Sequence, residues 1–343
     1  MNAMRPSTEA LLASALILTT LASTAMTEEA DARAFLRKAV GFSDAQIRDV
    51  EAGQVVTKQL PAADKPEIAA FGAVRLRGDQ DAFVRQLKRD VGVARRGASV
   101  LEGGRFSQTP RVEDLAGLTL DQGDFDAARA CQPGDCDIKL ARTAMERIRR
   151  EIDWKAADAR ARATGLMRQM LVEYTAAYMK GGTAEMATYV DKDHPLDAPA
   201  EFRRLLASSP YLVEYVPALH KYVEDYPRGS LAGAEDVFYW WKDKFAPKPT
   251  ISVYHATTWT DPRRAVSVVA TKRIYASHYF QGGLDLLAVV PAPDGGFYVM
   301  DLYRARVDPP TGMLSGVLLG KVRGGIEQGV AESLKAHAAQ QGK

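Results

Sequence analysis

The side chains best suited to chemistry fall on C-terminal segments whose alternation reads as β-strand. Along residues 297–307, Phe297, Val299, Asp301, Tyr303 and Ala305 share one face, and Tyr298, Met300, Leu302 and Arg304 share the other. A carboxylate at Asp301 on so apolar a face is costly unless it is paired. Upstream, Arg273, Tyr275, Ser277 and Tyr279 share a face with His278 opposite, and His255 lies with Ile251 and Val253. Two chemistries are open to these groups. His255 or His278 with Asp301 or Tyr303 could form an acid–base pair of the cyclase or hydrolase kind. Alternatively, His255, Tyr275, His278, Asp301 and Tyr303 are polar contacts that orient a bound molecule. The structural alternative pairs Asp301 with an arginine such as Arg273 and leaves the histidines bonding the backbone. Spacing sets no distances here, so no residue is assigned a catalytic role.

Stronger signatures are missing from the chain. It has no HExxH, G-x-S-x-G, P-loop or G-x-G-x-x-G sequence. The loop Asp191-Lys-Asp193-His194-Pro-Leu-Asp197 is rich in oxygen ligands. Pro195 and Leu196 break the calcium-loop pattern, and the twelfth position is Phe202. No metal site and no cofactor is expected. Both cysteines lie in Cys131-Gln-Pro-Gly-Asp-Cys136, where Pro133-Gly134 turns the chain, so a structural disulfide is expected. Four intervening residues fit a redox pair poorly. The run Phe238-Tyr239-Trp240-Trp241 reads as a buried strand with aromatics on both faces.

The elements that must position these groups change character along the chain. Residues 55–60 and 68–76 read as strands. Asp79 is placed to cap a helix carrying Phe83, Leu87 and Val91, which Gly92 ends, and residues 99–106 read as a third strand. Residues 112–226 are helical in period, with stripes at Leu140, Ala144, Ile148, Ile152 and at Leu166, Met170, Tyr174, Tyr178. The period then falls to two over residues 237–245, 250–259, 266–280, 284–290 and 297–307, with a hairpin signal at Asp294-Gly295-Gly296. Short connections favour an antiparallel meander. A last helix carries Leu318, Val322, Ile326, Val330 and Leu334 at four-residue spacing, beside a stripe of Gly316, Gly320 and Gly324 and a pair at Gly325 and Gly329. Each interior glycine costs about 1 kcal/mol relative to alanine. A sheet, a helix or a ligand is therefore expected close against that face.

The N-terminus has the form of an export leader. Arg5 precedes an apolar stretch from Ala10 to Leu21, and Ser23 and Ala25 supply small residues at the −3 and −1 positions of a cut after Ala25. A periplasmic or secreted protein is expected, with no membrane span after cleavage. The net charge of +2 argues against a dedicated nucleic-acid binder. Residues 26–340 are expected to form one α+β domain: N-terminal strands and helix over 50–111, a helical insertion or subdomain over 112–235, and antiparallel strands with a long closing helix over 236–340.

That order resembles the START / Bet v 1-like helix-grip superfamily. Ala73-Val-Arg-Leu-Arg-Gly-Asp79 running into Gln80–Asp90 is similar to its first strand and helix, and Thr311-Gly-Met-Leu-Ser-Gly-Val-Leu-Leu319 to its closing segment. The resemblance spans roughly residues 50–106 and 236–340, and the helical middle third departs from it. It implies a curved antiparallel sheet around the C-terminal helix, with a lipid-like or other apolar molecule held between them. A non-catalytic binding or carrier protein is the leading expectation. An enzyme using the strand His, Asp and Tyr residues, or an envelope module whose helical layer meets a partner protein, are the alternatives.

Overall fold

The computed structural model describes residues 32–93, 99–310 and 312–341. The leader expected over residues 1–25 lies outside them. Two N-terminal helices come first, α1 (Ala32–Phe35, continued as a π turn over Leu36–Val40) and α2 (Asp44–Glu51). Strands β1 (Val56–Gln59) and β2 (Glu67–Leu76), helix α3 (Gln80–Asp90) and strand β3 (Val100–Arg105) follow. The middle of the chain holds α4 (Gln122–Ala130), α5 (Arg142–Glu151), α6 (Ala159–Gly181), the two-residue strands β4 (Thr188–Tyr189) and β5 (Leu196–Asp197), α7 (Ala198–Ala207), α8 (Pro210–Tyr215) and α9 (Pro217–Asp225). Five long strands then run as β6 (Glu235–Asp243), β7 (Thr250–Asp261), β8 (Val266–Ala276), β9 (Phe280–Pro291) and β10 (Phe297–Val307), before α10 (Ser315–Gln341).

Local chemistry sets several of these boundaries. Ser43 and Gln46 close a capping box on α2, and the Asp79 carboxylate accepts from the amides of Asp81 and Ala82 at the start of α3. Gly92, at φ +76°, turns the chain out of α3; a Cβ there would lie 2.6 Å from the Tyr239 ring. Gly295 and Gly296, at φ +92° and +75°, make the β9–β10 turn. Cys131 and Cys136 form a disulfide across the turn at Pro133-Gly134, with Cα atoms 4.5 Å apart.

Eight strands make one antiparallel sheet in the order β1-β2-β10-β9-β8-β7-β6-β3. The expected meander runs from β6 to β10, and β2 joins its β10 edge while β3 joins its β6 edge. The segment between β2 and β3, which contains α3, therefore crosses the sheet. One face carries Val74, Val289, Phe297 and Val299 against Phe83 and Leu87 of α3 and Ile326, Val330 and Leu334 of α10. The opposite face carries Phe71, Val253, Val268, Leu286 and Met300 against the helices of the middle third, with Met145, Leu166, Met167, Leu171, Phe202 and Leu205. The antiparallel sheet thus holds a long C-terminal helix on one face and the inserted helices on the other, as the order of elements implied. Arg306 ties α7 to the sheet, donating to Glu201 and, through both terminal nitrogens, to Asp64 at 2.7 and 2.8 Å.

Two features of the strands differ from the expectation. Residues 266–280 were expected to run as one strand, but β8 stops at Ala276. Ser277, His278 and Tyr279 form a turn, with Tyr279 at φ +59°. The register also shifts between β7 and β8, pairing Val253 with Tyr275 but Tyr254 with Arg273. The extra residue, Ile274, is a β-bulge that inverts the alternation. Arg273 and Tyr275, expected side by side, fall on opposite faces.

Candidate functional site

The C-terminal helix is seated by glycine. Gly72 of β2 lies where a Cβ would come within 2.6 Å of Leu334 Cδ1 and 2.8 Å of Val330 Cγ1. Glu327 accepts from Thr57 at 3.1 Å and Gln59 at 3.0 Å, holding α10 over the β1–β2 edge. Between the rest of α10 and strands β6 to β10 is a cavity of about 530 Å3, within the usual small-molecule range of roughly 300–1,000 Å3. Gly325 and Gly329 are on its helix wall, and no atom lies within 4 Å of a Cβ placed at either. The same openness holds at Gly316, Gly320 and Gly324. The expectation of a sheet or helix pressed on the glycine face is thereby corrected: the glycines leave space rather than admit a neighbour.

The cavity floor is polar at one place. Arg273 of β8 is 8 % exposed, with its guanidinium carbon 3.6 Å from the Phe280 ring centroid and 5.1 Å from that of Tyr254. Its Nη2 donates to the Tyr303 hydroxyl at 3.4 Å, while its Nε and Nη1 have no hydrogen-bond partner in the protein. Burial works against the guanidinium charge, but Tyr254, Tyr303 and Asp243 more than offset it, and the pKa rises above the ordinary value. Asp243 responds in the opposite sense: burial raises its pKa and Arg273 only partly opposes this. Asp301, Tyr303, Asp285 and His337 share the cavity wall.

Of the sequence candidates, Asp301 and Tyr303 come together on this cavity. The other three lie across the sheet, among the inserted helices. His255 is 3 % exposed; its Nε2 donates to Asp236 Oδ1 at 2.8 Å and its Nδ1 accepts from Tyr178 at 3.1 Å. Its ring stacks on Phe238 at 4.5 Å. Burial lowers the His255 pKa against the pull of Asp236. At Asp236 burial works upward, but His255 and the hydroxyls of Tyr222 and Thr257 outweigh it and hold the carboxyl below the usual range. His278, in the turn after β8, bonds Asp124 of α4 at 2.8 Å, and the Tyr275 hydroxyl donates to the Lys139 carbonyl at 3.3 Å. The sheet separates these groups from Asp301 and Tyr303, so the acid–base pairs considered from the sequence are not assembled.

Asp243, Tyr254, Asp285 and His337 are among the cavity residues that the sequence did not single out. Two of them carried a usable signal. Tyr303 faces Asp285 directly across the β9–β10 ladder, a pairing that the Asp294-Gly295-Gly296 turn determines. His337 lies three residues past Leu334, so it continues the apolar seam of α10, where it is 6 % exposed. The aromatic run splits as expected: Phe238 and Trp240 pack toward the inserted helices, and Tyr239 and Trp241 toward the cavity. Among the described residues there is no group of three or more His, Cys, Asp or Glu side chains placed to hold a metal ion, and no helix long and apolar enough to cross a membrane.

No family model matches the sequence, and the search of curated proteins gave no significant match. Among solved structures, the chain is similar to a STAR-related lipid transfer protein fragment from Xanthomonas axonopodis, at 11% identity over 84% of this chain and 94% of that one, with a TM-score of 0.36. It is also similar to the Zhui aromatase/cyclase of a Streptomyces species, at 12% identity over 40% of this chain and 83% of that one, TM-score 0.23. A norcoclaurine synthase from Thalictrum is matched at 16% identity over 37% of this chain and 87% of that one, TM-score 0.16. What each of them binds or makes belongs to it; the cavity of this chain has to be read from its own residues.

Proposed function

We propose that this protein binds a small amphipathic molecule, mostly apolar, between β6–β10 and α10. Its polar end would lie against Arg273 and Tyr303. One observation carries this: a buried guanidinium keeps two nitrogens without protein acceptors beside a cavity of about 530 Å3. A buried charge left so incompletely bonded is costly, and a ligand oxygen that completes it removes the cost. Tyr239, Trp241, Phe280 and Ile326 supply apolar wall for the rest of the molecule. The alternative of a helical layer built to meet a protein partner gains little support: Val112 and Val213 are the exposed large apolar residues within 112–226 among those described.

The same reading places the protein outside the cytoplasm, with the leader cut after Ala25 and the Cys131–Cys136 disulfide suited to an oxidising compartment. Native mass spectrometry of protein purified from its own host, followed by solvent extraction, tests the binding. A released molecule with an apolar body and an oxygen-bearing head is the expected result. Protein that is empty from every preparation, and takes up no fatty acid or sterol probe, overturns it. Intact mass of the periplasmic fraction tests the cut.

A further inference from the structure

The first half of α10 is built unlike a solvated helix. Leu319 and Ile326 point into the protein, while Met313 and Leu314 in the turn before the helix and Val317 and Leu318 in its first turn are 102, 66, 61 and 44 % exposed. The outer face of a surface helix is ordinarily polar. Here Val317 and Leu318 occupy it, and Met313 and Leu314 stand exposed just before it. Gly316, Gly320, Lys321 and Gly324 continue that face, and nothing lies within 4 Å of a Cβ built at any of the three glycines.

Charge decides what fits this surface. From Pro309 to Ile326 the chain has no acidic residue, and Lys321 and Arg323 follow directly on the apolar cluster. Lys321 is exposed, and Arg323 is half-buried beside the β1–β2 connection, where Asp64 and Lys65 line the same hollow. An apolar tip followed by two cations, with no acid in its own segment, matches the boundary of an anionic bilayer: the tip enters the headgroup–acyl zone and the cations meet the phosphates. We infer that residues 313–323, the turn before α10 and the first turns of that helix, dock this protein on an anionic lipid surface. The helix that roofs the cavity is then also the element that touches the membrane.

Vesicle co-sedimentation tests this with the mature chain and two lipid compositions, phosphatidylcholine alone and phosphatidylcholine with about a third phosphatidylglycerol. Binding to the anionic vesicles at least tenfold above the neutral ones is expected, falling as salt rises. Leu314→Ser with Val317→Ser should lower anionic binding at least tenfold, and Lys321→Glu with Arg323→Glu should abolish the preference. All four positions are exposed or half-buried, so unchanged melting temperatures are expected to show that the variants fold. Equal sedimentation with and without vesicles, or binding unaltered by both double variants, overturns the inference. So does a dimer in sedimentation velocity that Leu314→Ser with Val317→Ser dissociates, because the tip would then be a contact between copies. Ligand content is read separately by mass spectrometry, so failure here leaves the cavity reading standing and failure there leaves this one.

Discussion

Leu334 of α10 rests on Gly72 of β2 so closely that a Cβ at position 72 would stand 2.6 Å from its Cδ1. Val330 Cγ1 at 2.8 Å and Thr57 Cγ2 at 3.1 Å close in on the same point. Gly72 is also the ladder partner of Asp301. The glycine therefore sets how deeply the helix sits beside the cavity wall.

Gly72→Ala is expected to lift α10 rather than be absorbed locally, since Val330 is β-branched and has little rotamer freedom. A loss of about 1–3 kcal/mol is expected in urea unfolding, the usual cost of overpacking. Protection of α10 amides in hydrogen exchange should fall before that of β7 and β8. Equal loss of protection across the sheet would show that Gly72 does not act through the helix.

Much of this arrangement was legible in the sequence, and the reason is periodicity. Alternation along residues 297–307 put Asp301 and Tyr303 on one face, and four-residue spacing located the Ile326–Val330–Leu334 seam. What stayed hidden left no trace in residue type. Ile274 is an ordinary strand residue, yet as a bulge it sends Arg273 into the cavity and Tyr275 away from it. Nothing about Tyr279 announces a backbone at φ +59°, so the turn that carries His278 read as continuous strand. The glycine stripe was recognised, but missing side chains look the same whether a neighbour fills the space or leaves it empty.

Arg273→Met separates recognition from packing. Methionine keeps the length and lies on Phe280 without the charge. Removing one charge of a buried pair leaves the other unmatched, here the Asp243 carboxyl. The expected outcome is a lower midpoint of denaturation together with at least tenfold less bound small molecule by native mass spectrometry. A variant that unfolds more easily yet keeps its cargo would make Arg273 a structural residue.

His255 links stability to mild acid. Its folded pKa lies below the ordinary 6.5, because burial outweighs the Asp236 partner. The unfolded chain therefore takes up a proton first, and stability falls as pH drops from about 6.5 toward the folded value. His255→Gln can still donate to Asp236 and accept from Tyr178 but does not titrate. Urea midpoints measured from pH 7.5 to 5 should decline less steeply in the variant. Parallel slopes would mean that His255 does not carry the dependence.

Lys272 carries the same logic into alkali. It is 2 % exposed, its amine donates to the Thr183 hydroxyl at 2.6 Å, and it lies 3.7 Å from the Phe202 ring centroid. No carboxylate is paired with it among the described residues, and burial drives its pKa well below 10.5. Between that folded value and 10.5 the unfolded chain binds the extra proton, so stability should rise with pH across this window. Lys272→Met removes the titration and leaves an apolar chain against Phe202 and Tyr178. The variant should be more stable than the wild type by about 1–2 kcal/mol at pH 7, with the gap closing toward pH 10 as the lysine no longer has to lose a proton on folding. A gap that stays constant from pH 7 to 10 would show that Lys272 keeps its charge in the folded protein, held by the rings of Phe202 and Tyr178.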